Sequence, residues 1–224
     1  MSKTPQKPEQ PLPAPTNDRL LETAVDLFGR KGLEGVSTRA LAAAADTAMS
    51  SITYHYGGKE GLYLATARHI AEKIESGLGP ALALLPSIDK IKPEEALPHI
   101  LTVVDGMLGL MLNPQSAAWA RFIVREQMEP TEAFQILYRH IFDRVAGRVI
   151  ALVEHYGNGR WSREDARLKV VSILGQIVVF RVARATALRF MEWDDVDPVH
   201  AAKIRRAVHA HCRAILSCNI ADLP

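Results

Sequence analysis

The sequence holds two cysteines in 224 residues, Cys212 and Cys218. Both fall on one predicted helix, a poor arrangement for an intrachain disulfide, and so sparse a thiol content fits a reducing, cytoplasmic setting. No apolar run reaches the about 18 residues that a membrane span needs. The first residues lack the apolar stretch of a secretory signal. Bulk positive charge is also missing. The net charge is +2, and over residues 17–75 seven cations face eight carboxylates. Affinity for nucleic acid would therefore have to come from a shaped surface and a few placed cations.

Signs of catalysis and metal binding are equally scarce. His209 and Cys212 share a helix face, but His211 does not, and no further ligand has matching spacing. No nucleophile–base pair, phosphate loop or paired-carboxylate motif stands out. Gly157-Asn158-Gly159 reads as a loop between helices. Neither a metal, a cofactor nor an enzymatic activity is expected.

What is present is helix. Hydrophobic residues make up 48% and charged residues 23% of the chain, ordinary for a globular protein with an ample core. Residues 1–16, with five prolines, read as a disordered arm, where Lys3 and Lys7 are candidate adjunct DNA contacts. Asn17 is placed as the N-cap of a first helix whose stripe is Leu20, Leu21, Ala24, Val25 and Phe28. Helices are then predicted from Ser37 to about Ala45, over 49–56, and from Lys59 to about Ser76. Further helices are expected from Pro93 to before Pro114, from Pro114 to Met128, from Thr131 to Tyr156, from Ser162 to about Met191 and from Asp197 to about Cys218. The fold class is all-α, with nine helices and no strand. The helix after Ser162 is apolar around nearly its whole circumference (Val170, Val171, Ile173, Leu174, Ile177 to Phe180, Val182). It must be buried on several sides, in a core or between a core and a partner subunit.

The most specific segment is 37–63. Two short helices joined by a tight turn are followed by Gly57-Gly58 and a third helix. Leu41 and Ile52 supply the contact between the two, and Tyr56 packs beneath. The second short helix then turns Ser50, Ser51, Thr53, Tyr54 and His55 outward, where a solvated helix would carry Lys and Glu. Hydroxyls can meet phosphates or base edges, and a threonine methyl can meet a thymine methyl. Lys59 is placed to meet a phosphate. So are Ser37, Thr38 and Arg39 at a helix start, where backbone N–H groups favour an anion.

Over residues 17–78 this pattern resembles the TetR family of transcriptional regulators. The resemblance is carried by Phe28-Gly29-Arg30-Lys31-Gly32, by Val36-Ser37-Thr38, and by the run from Ile52 through Thr53-Tyr54-His55-Tyr56-Gly57-Gly58-Lys59 to Leu62. It implies that Ser51, Thr53, Tyr54, His55 and Lys59 contact DNA. The chain departs from the family at the turn, where Asp46 stands for a frequent glycine. Ala48 stands for a frequent serine, so Thr47 or Asp46 is expected to cap the second helix. Thr53 stands where tyrosine is frequent, which changes the operator expected.

The resemblance also implies organisation and partners. Residues 17–62 would form the DNA-binding domain and 63–224 a ligand-binding and dimerisation domain. The partners would be double-stranded operator DNA, a small-molecule effector and a second copy of the chain. Arg121 to Pro130 resembles the C-terminal region of the CecR (YbiH-like) subgroup, associated with control of drug-export genes, which implies an antibiotic-like effector. Candidate pocket residues are Met107, Met111, Trp119, Phe122, Arg125, Met128, Phe134, Tyr138, Phe180 and Arg184, because methionines and aromatics suit an adaptable apolar cavity. Arg121, Arg125 and Arg184 call for a partner, with Glu126 or an anionic ligand as the candidates. The expected function is a repressor released from its operator by a small apolar or aromatic effector. Two alternatives stay open: a helical ligand-binding or scaffold protein without DNA binding, favoured by the neutral reading motif, and an all-helical enzyme.

Overall fold

A computed structural model describes residues 14–219, with side chains from residue 17. The proline-rich arm lies outside the described residues except for its last three positions. Among the described residues there is no strand. The helices are α1 (Ala14–Lys31), α2 (Thr38–Ala44), α3 (Met49–Tyr56), α4 (Lys59–Ala83), α5 (Ala96–Leu112) and α6 (Ser116–Met128). They continue as α7 (Glu132–Leu137), a π turn at Tyr138–Phe142, α8 (Asp143–Gly157), α9 (Arg163–Val182), α10 (Arg184–Met191) and α11 (Pro198–Ser217).

Several expected boundaries move. Helix α1 starts at Ala14, so Asn17 lies inside it and does not cap it. Its side chain instead accepts a hydrogen bond from the Tyr56 hydroxyl. Helix α4 runs through Pro80 to Ala83 instead of stopping near Ser76. The expected helix from Thr131 to Tyr156 is interrupted by the π turn. The one expected to reach Met191 ends at Val182, and α10 follows at a bend of 87°. No Pro or Gly marks that break. It is held by side chains: Arg181 donates to the carbonyls of Met111 (2.8 Å) and Asn113 (2.7 Å), and Arg184 pairs with Asp195.

Packing divides the chain differently from the motif boundary at 62 and 63. One compact unit takes the described residues up to Ile70 together with Arg121–Leu137; the other takes Ala71–Ala120 and the described residues from Tyr138. In the first, Leu20, Val25 and Phe28 of α1 are buried with Leu41, Ile52, Leu62, Ile70, Phe122 and Leu137. Tyr63 links the centre, edge-on to Phe28 at 4.9 Å and tilted on Phe122 at 4.8 Å. Truncating a fully buried leucine or phenylalanine of such a core costs about 2–5 kcal/mol. Glu126, 1% exposed, accepts bonds from the Tyr63 hydroxyl (2.6 Å) and from the Thr131 hydroxyl (2.8 Å) and N–H (3.1 Å).

The second unit is built around α5. Ile100, Val103, Val104 and Leu108 are buried with Val149, Leu152 and Val153 of α8, Val170, Ile173 and Ile177 of α9, and Ile204, Val208 and Leu216 of α11. Pro93–Leu112 is long and apolar enough to cross a membrane by length and composition alone, and about a third of it, including Ile100, Val103, Val104 and Leu108, is buried in this unit. Lys169 of α9, 2% exposed, donates to the carbonyls of Ile215 (2.6 Å) and Cys218 (2.5 Å) and lies over the Trp161 ring. It thus closes the C-terminal end of α11, whose last carbonyls have no helical partner. Burial, foremost, pulls its pKa below the ordinary lysine value. Helix α9 is not covered all round: Leu168, Val171, Val179 and Val182 are exposed.

Candidate nucleic-acid interface

The interface candidate starts from Ser37. Its backbone is extended and its Oγ accepts the Ala40 N–H at 3.1 Å, which starts α2. Leu41 on α2 and Ile52 on α3 are both fully buried, so the two helices meet through side chains that water does not reach. The turn between them depends on Asp46, at φ 49° in the left-handed region. Asp tolerates that region better than most residues. Arg19 of α1 anchors the turn by donating to the Asp46 carbonyl at 2.9 Å, with the Asp46 carboxylate 3.7 Å away.

The expected cap of α3 by Thr47 or Asp46 is not formed. Ala48 takes the N-cap position with extended backbone and no side-chain cap bond. The first N–H groups of α3 therefore have no side-chain acceptor at the cap, and they sit at the positive end of the helix dipole. At the other end Gly57, at φ 73°, donates its N–H to the Thr53 carbonyl and stops the helix. Only glycine enters that conformation without steric cost. Tyr56 is half-buried, and burial, with a smaller contribution from Asp18, raises its pKa.

The outward face of α3 consists of Met49, Ser50, Thr53 and Tyr54, all exposed; Ser51 and His55 are half-buried. The His55 ring meets Tyr54 edge-on at 4.8 Å. Ser37 and Arg39 are exposed at the start of α2, with Thr38 half-buried. Lys59 is less available than its place at the start of α4 implies: its side chain is 18% exposed, with Nζ 3.6 Å from Glu34. Sequence reasoning missed Met49 and Arg19. The spacing of Met49 to Thr53, one helical turn, was the available signal for the first. The second is a contact across 27 positions, which no local pattern announces.

The expected pocket residues are spread over both units. Phe122 is core beside Tyr63, and Met128 is exposed at 79%. Arg125 lies against Gly32, whose absent Cβ would stand 2.9 Å from its guanidinium. Arg125 and Phe134 belong to the first unit; Met107, Met111 and Trp119 are half-buried in the second, where Tyr138 is exposed. Phe180 and Arg184 share a depression with Leu188 and Trp193, and its free space is about 10 Å³, barely enough for one water. Glu126 does not serve Arg121 or Arg184: Arg121 pairs with Asp26 at 2.9 Å and Arg184 with Asp195.

A larger cleft lies elsewhere in the second unit, between the end of α4 and the π turn with the start of α8. It measures about 360 Å³, within the range of small-molecule sites. Ile74, Leu82, Ile141 and Val145 give it apolar walls, and His140 and the ion-paired Glu75 and Arg144 lie among them. Among the described residues no group of three or more His, Cys, Asp or Glu could hold a metal.

Residues 20–66 match the sequence model of bacterial regulatory proteins of the TetR family. Residues 96–218 match the C-terminal domain of the HTH-type transcriptional dual regulator CecR. The HTH-type transcriptional dual regulator CecR of Shigella flexneri is 28% identical over 209 residues, which cover 88% of this chain and 90% of that protein. A protein of Bacillus subtilis named a probable HTH-type transcriptional regulator is 31% identical over 111 residues, half of each chain. Among solved structures, a TetR-family transcriptional regulator from Streptomyces coelicolor aligns with a TM-score of 0.64 at 16% identity, covering 90% of this chain and 88% of that one. A TetR-like regulator from Rhodococcus sp. RHA1 aligns with a TM-score of 0.62 at 18% identity, covering 96% and 100%. With the helix-turn-helix matched at one end and more than half of the chain matched at the other, the chain belongs to the TetR family of transcriptional regulators.

Proposed function

We propose that this regulator is a homodimeric repressor that a small apolar or aromatic effector releases from its operator. The observation that carries the reading is the outward face of α3, a short helix with hydroxyls and a methionine toward solvent and a rigid, tied turn behind it. In a helix-turn-helix the second helix enters the major groove while the first crosses the backbone. Ser50, Ser51, Thr53, Tyr54 and His55 are the groove contacts in this reading, with Ser37, Thr38, Arg39 and Lys59 on phosphates.

Dimerisation is supported by α9. Leu168, Val171, Gly175, Val179 and Val182 form one exposed stripe, the pattern of a helix that packs on a second helix. In this reading α9 of a second copy covers the stripe. Two reading helices would then lie about 34–36 Å apart, one helical turn of DNA. The cleft between α4 and α8 supports effector binding, since α4 begins directly after the reading motif. The Shigella relative's description as a dual regulator favours a second reading, in which the same protein represses some promoters and activates others.

The test is linkage. A thermal-shift panel of apolar and aromatic compounds identifies an effector, which is titrated with and without operator duplex. Operator should weaken effector binding by the factor by which effector weakens operator binding. Equal effector affinities in the two titrations would end the release mechanism.

A further inference from the structure

The surface that α3 offers to a groove lacks one chemistry altogether. None of its eight residues is Arg, Lys, Asn or Gln, the side chains that make two-point contacts with guanine or adenine edges. The cations nearest the motif are engaged: Arg19 on the carbonyl of the turn and Lys59 with Glu34. Arg39 is exposed, but on α2, outside this face.

Four hydroxyls remain, on the exposed Ser50, Thr53 and Tyr54 and the half-buried Ser51. Each both donates and accepts, so a hydroxyl alone does not choose a base. His55 is half-buried and turned edge-on to Tyr54. The rest of the face is apolar. The thioether end of Met49, a residue 54% exposed, and the methyl of Thr53 lie one helical turn apart on the same side. The one apolar group that a base pair presents in the major groove is the C5-methyl of thymine.

We infer that α3 selects its half-site through thymine methyl groups, with Met49 and Thr53 as the specificity-determining side chains. The inference rests on the reading of α3 as the groove-entering helix. It has a corollary: 5-methylcytosine carries its methyl at the same place and stands in for thymine better than cytosine does.

The test begins with the full-length protein selecting duplexes from a randomised library. Affinity for the enriched site is then measured by fluorescence anisotropy with each thymine in turn replaced by deoxyuridine, which removes the methyl and nothing else. At least one thymine per half-site should lose about fourfold in affinity, and about 15-fold when both half-sites are changed, as burial of one methyl each predicts. Met49→Ala or Thr53→Ser should abolish that penalty at one position, while Thr53→Val should keep it. Both positions are exposed, so these variants retain the fold. Replacing the sensitive T·A pair by 5-methylcytosine·guanine should cost less than replacing it by cytosine·guanine.

An enriched site indifferent to deoxyuridine at every thymine would overturn the inference, as would penalties that persist unchanged in both Met49→Ala and Thr53→Ser. Enrichment of no sequence would overturn the DNA-reading role itself, and it appears at the selection step, before any methyl is removed.

Discussion

Asp46 holds two opposed roles. Its backbone makes the left-handed turn and accepts the bond from Arg19, while its carboxylate, 93% exposed, sits beside the surface proposed to meet phosphates. Asp46→Gly keeps the carbonyl and relieves the backbone, so stability should stay level or rise by up to about 1 kcal/mol. It also removes a negative charge, so DNA affinity should rise, most at low salt. Asp46→Val should cost about 2 kcal/mol. Urea unfolding and anisotropy titration measure the two effects. Cys212 gives a residue-level test of the second unit. Burial pushes its thiol up to about 11, opposed in part by Arg213 and a bond from Gln176. Native protein at pH 8 should therefore resist thiol labelling at Cys212 until it unfolds. Because the folded value lies above the ordinary one near 9, the contribution of this thiol to stability is complete below pH 9 and declines as pH rises toward 11. Rapid native labelling at Cys212 would contradict its enclosure.

Helix starts were largely legible because they are written in local chemistry. The Ser162–Asp165 capping box is formed in both directions, and Asp197 caps α11 by accepting from the His200 N–H at 2.8 Å. Ser162→Ala should lower stability by about 1 kcal/mol, read as a fall in melting temperature. Helix interruptions were not legible, because their causes are distant. The break at Ala183 is held by bonds from Arg181 to the end of α5, 68 and 70 positions away. The π turn at 138–142 has no proline or glycine to mark it. The reading helix was legible down to its bounds, since it is short and ends in glycine. Cavity lining was not legible: a methionine or aromatic at helical spacing looks alike in a core and in a cavity. The larger cleft draws instead on residues 74–83 and 140–145, mostly aliphatic and charged.

The proposed assembly of two chains rests on a face of α9 that its own core leaves open. Val171, 65% exposed, and Val179 lie on that stripe, and a charge there should keep two copies apart without disturbing the fold. Val171→Glu with Val179→Glu is expected to give a monomer with unchanged helical circular dichroism and strongly reduced operator affinity. Sedimentation velocity decides this; an unaltered dimer would move the interface elsewhere. Specificity and release both presuppose that α3 engages a duplex. The deciding measurement is a salt series of anisotropy titrations on the chain's own upstream region and a scrambled duplex, with wild type, Thr53→Ala and His55→Ala. Wild type should prefer the upstream duplex, with affinity falling as salt rises, and both variants should bind it more weakly at unchanged melting temperature. Equal wild-type affinity for the two duplexes, or full affinity in both variants, would remove α3 as the reading helix.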